Sequence, residues 1–348
     1  MPIVKDMRDV QVIAPNFKRR LSGVTSTIIQ LVPVQNRLGQ NVVTLGSGLP
    51  DTLPRMRWRD LPALWSRGPR VWHARRNIEM LFGLVLRHLL RMKLKLVFTS
   101  ASQRRHTGWT KFLISRMDAV VATSARTASY LEVPNTVIMH GIDPQRFAPP
   151  AEKSAAKTLL GLDPAQNYAG CFGRVRHQKG TDLFVDAMIR LLPEQPEWSA
   201  IVAGRATAQH VDFENGLKAR VREAGLADRI LFVGEHTNIN AWYRALDLFI
   251  APQRWEGFGL TPLEAMATGV PVVATNVGAF SEIVTPDTGD VVSADDVEAL
   301  AQAARTYMGD ATLRRHAGEH GRQRAEAHFS IEGEAAALGR VYAGVDQA

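Results

Sequence analysis

The chain has 348 residues, 45% hydrophobic and 22% charged, which is ordinary for a soluble globular protein of about two domains. Its one cysteine, Cys171, sits in an apolar run and excludes an internal disulfide framework. The net charge of +8 is unevenly held: residues 1–150 carry 23 Lys and Arg against 8 Asp and Glu, giving +15, and residues 151–348 carry −7. That asymmetry turns the first half toward something anionic, and charge alone leaves nucleic acid, anionic lipid and an acidic glycan open.

Residues 1–6 hold no apolar signal core, and a cytoplasmic chain is expected. Residues 10–15 read as a strand ending in a loop over residues 16–23, which carries Lys18, Arg19, Arg20 and Gly23. A helix over residues 25–38 and a strand over residues 41–45 complete a βαβ unit, so a parallel sheet is expected. Residues 71–73, 94–99, 119–123 and 136–139 read as further strands. The most lipid-like segment, residues 80–92, is broken by Arg87, His88 and Arg91, short of the roughly 20 apolar residues of a membrane span. A helix there would pack on the sheet or touch a bilayer.

The alternation pauses at Phe147-Ala148-Pro149-Pro150 and then resumes. Strands are expected over residues 168–172, 198–203, 230–233, 246–252 and 272–275, with helices over residues 182–192 and 213–224 between them. Helices over residues 297–308, 311–327 and 331–345 close the chain. The expected organisation is a first domain over residues 1–150, a second domain over residues 151–327, and a C-terminal helix over residues 328–348 that packs back on the first. Two parallel α/β domains imply a ligand cleft at the C-terminal ends of their strands.

Two loops carry the candidate chemistry. Residues 173–182 follow a strand and place Arg174 and Lys179 together, a guanidinium and an ammonium suited to diphosphate oxygens. No Walker loop is present. Residues 254–264, Arg-Trp-Glu-Gly-Phe-Gly-Leu-Thr-Pro-Leu-Glu, run from a strand into a helix start that favours an anion. Gly257 and Gly259 allow close backbone approach to a ligand. Thr261-Pro262-Leu263-Glu264 fits a capping box, with Thr at N-cap and Glu264 at N3.

Arg174 and Lys179, then Glu256-x7-Glu264 around Gly257-Phe258-Gly259-Leu260, resemble the donor site of glycosyltransferase family 4. His140-Gly141-Ile142-Asp143 with Phe147, and residues 269–274, agree with that family, although His140 stands where asparagine is usual. Residues 14–27 and Arg104-Arg105-His106-Thr107-Gly108-Trp109 resemble its rhizobial lipopolysaccharide-core mannosyltransferases. The resemblance implies a GT-B fold, two Rossmann-like domains facing a deep cleft. It also implies a retaining transfer of mannose from GDP-mannose to a Kdo-containing acceptor, with no metal or other cofactor, the alternative being a related core transferase that uses UDP-glucose or ADP-heptose. Arg174 and Lys179 would neutralise the diphosphate and Glu256 would contact the sugar. Backbone N–H groups over Gly257, Phe258, Gly259, Leu260 and Thr261 would hold the distal phosphate, and Glu264 the ribose. Gly23 would let backbone approach the phosphates, and Arg205, in Gly204-Arg205-Ala206, would meet the diphosphate or base. The family histidine beyond the fourth strand has two candidates, His106 and His73. Lys18, Arg19, Arg20, Arg75, Arg76, Arg104 and Arg105 would receive an anionic lipid-linked oligosaccharide of the Kdo-lipid A type at the inner membrane, on its cytoplasmic face. A nucleic-acid partner is not expected, since aromatics are 7% of residues and the usual motifs are absent.

Overall fold

The computed structural model describes residues 9–18, 23–65 and 68–347, without the Gln347 side chain. Its first unit is built from residues 1–141 together with residues 331–348, and its second from residues 142–330. In the first unit the order is β1 Val12–Asn16, α1 Gly23–Arg37, β2 Val42–Gly46, β3 Arg55–Met56, β4 Arg70–Ala74, α2 Asn77–Leu84 and β5 Leu94–Ser100. Then come α3 Gly108–Ile114, β6 Ala119–Ala122, α4 Ala125–Ala128 and β7 Thr136–Val137. The seven strands are all parallel, in the order β3-β2-β1-β4-β5-β6-β7.

The second unit follows the same plan. Its order is α5 Lys153–Leu159, β8 Asn167–Phe172, α6 Thr181–Leu191, β9 Trp198–Ala203, α7 Val211–Glu223 and β10 Ile230–Gly234. Next are α8 Ile239–Arg244, β11 Leu248–Ala251, α9 Thr261–Ala267, β12 Val272–Thr275, α10 Phe280–Ile283 and β13 Gly289–Val292. Helices α11 Val297–Gly309 and α12 Ala311–His328 complete it. Its strands run β10-β9-β8-β11-β12-β13, all parallel. The sequence reading missed the edge strands β3 and β13. The first is two residues long, and the second opens on Gly289, where a Cβ would lie 1.8 Å from the Val272 carbonyl oxygen.

The central strands read as unbroken apolar runs because helices cover both faces of each sheet. In the first unit one face buries Ile28, Leu31 and Val32 of α1. The final helix, α13 Ile331–Gln347, adds Ile331, Ala335, Leu338, Tyr342 and Val345 to that core. The opposite face buries Trp72, Met80, Leu86, Leu96 and Leu113. The segment expected to be helical over residues 80–92 is α2 continued by a π-turn over Val85–Leu89; it stops before Leu90, and Arg91 takes a positive φ of 53°. Among the described residues no helix is long and apolar enough to cross a membrane.

The chain passes between units at 141/142 and 330/331, rather than at 150/151 and 327/328. Residues 142–150 are bound to the second unit. Phe147 packs edge-on to Tyr243, Arg244 Nε donates to the Ala148 oxygen, and Ile142 N donates to the Phe329 oxygen at 2.7 Å.

Candidate active site

In each sheet the strand order reverses once, between β1 and β4 in the first unit and between β8 and β11 in the second. Such a reversal is the usual ligand site of an open α/β sheet, because the loops beyond the two strands lead to opposite faces. In the second unit the β8 loop brings Arg174 and Lys179, and the β11 loop brings residues 254–261.

Three glycines explain how these loops seat. Gly180, at φ 68°, approaches the Pro252 carbonyl so closely that a Cβ would lie 1.8 Å from its oxygen. Gly259, at φ 89°, faces the Phe280 ring, where a Cβ would fall 2.2 Å away. Gly259 is therefore required by internal packing. Gly278, at φ 62°, brings the β12 loop under the Phe258 oxygen and the Glu256 side chain.

The Lys179 ammonium forms an ion pair with the Glu256 carboxylate, so the two residues singled out on separate loops meet directly. The other Glu256 oxygen accepts the Gly257 N–H at 3.1 Å. Arg174 and Arg205 are exposed on neighbouring strand ends, and Arg205 lies 3.1 Å from Glu235. Phe258 is buried, and its carbonyl accepts the Ala279 N–H.

The capping box is not formed. Helix α9 has Leu260 as its N-cap, without a side-chain cap bond, so Thr261 lies within the first turn. The Glu264 carboxylate instead accepts the Tyr243 hydroxyl at 2.8 Å. Burial pushes the Glu264 carboxyl up from its ordinary value, and burial followed by the Glu264 charge pushes the Tyr243 phenol well up.

Sequence reasoning missed the clamp between the loops. Arg254 donates Nη1 to Asp182 Oδ1 at 2.7 Å and Nη2 to Oδ2 at 2.8 Å, and Nη1 also reaches the His177 oxygen. Its Nε donates to Asp295. Burial draws the Asp182 carboxyl upward, but the Arg254 hydrogen bonds and charge outweigh it and hold the group below its usual 3.8. Its stabilisation is therefore complete above about pH 4 and fades as pH falls through the lower folded value. Asp182→Asn should be less stable than the parent at pH 7, with the gap closing as pH is taken below 4. Urea midpoints measured against pH would show this, and a constant gap would mean that Asp182 does not titrate against Arg254.

A family model described as Glycosyl transferases group 1 matches residues 153–324. The lipopolysaccharide core biosynthesis mannosyltransferase LpsB of Rhizobium meliloti is 68% identical over 344 residues, covering 97% of this chain and 98% of that protein. The corresponding LpcC of Rhizobium leguminosarum bv. viciae is 59% identical, with 97% of each covered. The chain belongs to the group 1 glycosyltransferases. The Anabaena protein HepE, solved with UDP, shares the fold at TM-score 0.84 and 18% identity, over 96% of this chain and all of that one. The expected resemblance and the two parallel Rossmann-like domains of a GT-B transferase are thus both found.

In the first unit of this transferase, Lys18 is exposed beyond β1, while Arg19 and Arg20 lie outside the described residues. Gly23 opens α1, and a Cβ there would meet nothing within 4 Å. Arg76 is tied into the first unit. It pairs with buried Glu79 at 2.7 Å, donates to Asn16 Oδ1 at 2.8 Å, and reaches Thr25 Oγ1, tying β1, α1 and α2 across the switch point. Arg75 donates from its backbone to Glu79 and from Nη1 to the His73 oxygen.

His73 is buried, with Nδ1 2.7 Å from the Tyr342 hydroxyl and Nε2 2.7 Å from Thr99 Oγ1. Burial, then Arg75, holds its pKa well below the ordinary value, so it is a neutral structural link to α13. His106 differs: its buried Nε2 has no hydrogen-bond partner among the described residues. Burial, with Arg104 and Lys111, lowers its pKa and favours the neutral ring. Arg104 and Arg105 flank it, exposed. His140 accounts for its place through Glu334, whose oxygens lie 2.8 Å from His140 Nδ1 and from the Gly141 nitrogen. Cys171 is buried, and burial pushes its thiol up to about 12.

Proposed function

We propose that this transferase moves mannose, with retention of configuration, from GDP-mannose to a Kdo-containing lipopolysaccharide inner-core acceptor at the cytoplasmic face of the inner membrane, without a metal. The reading is carried by the meeting of Lys179 and Glu256 at the β8/β11 switch point, in a chain so similar to two named core mannosyltransferases. Arg174 and Lys179 would stabilise the departing diphosphate, since charge developing on a leaving group calls for preorganised cations. Arg205 would lie near the diphosphate or base. Glu256 would hold the mannose hydroxyls, and Glu264, fixed by Tyr243, would offer its other oxygen to the ribose. Gly23 and backbone around residues 257–261 would approach the phosphates. The acceptor hydroxyl would attack from the face that the diphosphate leaves. Lys18, Arg19, Arg20, Arg75, Arg76, Arg104 and Arg105 would receive acceptor anions, and His106 would hydrogen-bond near the reacting sugar.

Product analysis with GDP-mannose, UDP-glucose and ADP-heptose against Kdo-lipid A tests the reading. An α-mannosyl product from GDP-mannose alone, formed equally in EDTA, is expected. A β-linked product, mannose released only to water, preference for another donor, or loss of activity in EDTA would overturn the corresponding part.

A further inference from the structure

Three segments cover one face of the first sheet: a 3-10 helix over Trp58–Trp65, α2 with its π-turn, and α3. We propose that their outer surface is where the protein docks on an anionic lipid bilayer. This deepens the proposed function, because it names the surface that meets the leaflet holding a lipid-linked acceptor.

Helix α2 and its π-turn are apolar on both sides. Met80, Gly83 and Leu86 are buried toward the sheet, while Ile78 and Leu89 are 52% and 75% exposed on the other side. Large apolar side chains left open on the outer side of a sheet-packing helix suit an apolar surface such as lipid. Its neighbours leave large side chains open too: Trp58 is 51% exposed, Trp65 49%, Trp109 53% and Phe112 47%. The segments adjoin. The Trp58 ring lies 5.6 Å from Phe82, Trp65 Nε1 donates to the Leu90 oxygen, and Asn77 Nδ2 donates to Thr110 Oγ1 at 2.7 Å. Trp109 and Phe112 stack at 5.7 Å, with the Arg116 guanidinium 5.2 Å from the Phe112 centroid.

Charge selects the occupant. Residues 57–65, 77–91 and 108–116 carry Arg57, Arg59, Arg87, Arg91, Lys111 and Arg116 against two acids of their own, while Asp118 pairs with Arg87 and Glu132 with Lys111, which leaves the face net positive. Glu79 is buried on Arg76, and Asp60 is bonded to Arg57. A second copy would set cations against cations, whereas anionic headgroups complement them. Indole rings beside guanidinium groups also suit the boundary between headgroups and acyl chains. The face lies next to the acceptor-side loops, since α2 follows Arg75 and Arg76, and α3 follows His106.

The test is sedimentation of the full chain with phosphatidylethanolamine–phosphatidylglycerol vesicles and with phosphatidylcholine vesicles. Binding to the anionic vesicles with a blue shift of tryptophan emission is expected. Trp109→Ser/Phe112→Ser and, separately, Ile78→Ser/Leu89→Ser should each weaken binding by about tenfold or more, while GDP still raises the melting temperature as in the parent. No binding by the parent, unchanged binding by both variants, or variants that only dissociate an oligomer would overturn the assignment. Mannosyl transfer to a water-soluble acceptor without vesicle binding would sink the docking face alone. Vesicle binding with no use of GDP-mannose would sink the proposed function alone.

Discussion

Lys179→Ala should lower kcat with GDP-mannose by about 10²–10³-fold, the loss typical of removing one preorganised donor to developing negative charge. Stability should fall by less. The Lys179–Glu256 pair keeps 21% and 17% of its side-chain surface exposed, so the variant leaves a largely buried Glu256 carboxylate without its partner, at a cost above the about 0–1 kcal/mol of a fully exposed pair. Glu256→Gln should also lower turnover more than stability, because the amide keeps the shape but loses the charge that orients Lys179. If both residues serve one transition state, the double variant will be scarcely slower than the worse single variant. Steady-state kinetics and thermal melts of the three proteins decide the matter. Parallel losses of turnover and melting temperature would reassign the pair to the scaffold.

Gly180→Ala should destabilise the second unit by roughly 3 kcal/mol or more and abolish most activity. The residue has φ 68°, and the new Cβ would fall 1.8 Å from the Pro252 oxygen. That contact is backbone, so relief requires moving the β11 loop that carries Glu256. Gly161→Ala separates the two causes, because Gly161 has φ 71° but its Cβ would meet nothing within 4 Å. It should lose only the backbone cost, about 1 kcal/mol. Urea unfolding of both variants gives the comparison, and equal losses would show that the Pro252 contact is unimportant.

The central strands were legible because sheets covered on both faces demand continuous apolar runs, and β8 and β9 read so directly. Strands β3 and β13 were not, since a two-residue strand and one opened by glycine carry too little pattern. The Arg174–Lys179 loop was legible as a local concentration of charge between a strand and a helix. The Arg254–Asp182 clamp joins residues far apart in the chain, and no local pattern announces it. Arg76 marks the opposite limit: a count of charges cannot distinguish a surface cation from one tied to buried Glu79. At α9 the Thr-Pro-Leu-Glu spacing fitted a cap, but the Tyr243 hydroxyl took the carboxylate. The docking face was half legible: residues 80–92 read as packing on the sheet or touching a bilayer, but an apolar sequence does not say which of its sides remains uncovered.

The return of α13 to the first unit sets an order on the making of the protein. Residues 142–330 form a contiguous unit and can fold as they are synthesised. The first unit, though begun earlier, lacks Ala335, Leu338, Tyr342 and Val345 from its core until the second has been made. During that interval the side of α1 that meets α13, around Gln35 and Arg37, waits without its partners Tyr342 and Glu332, and the part of the chain translated first is the last to be finished.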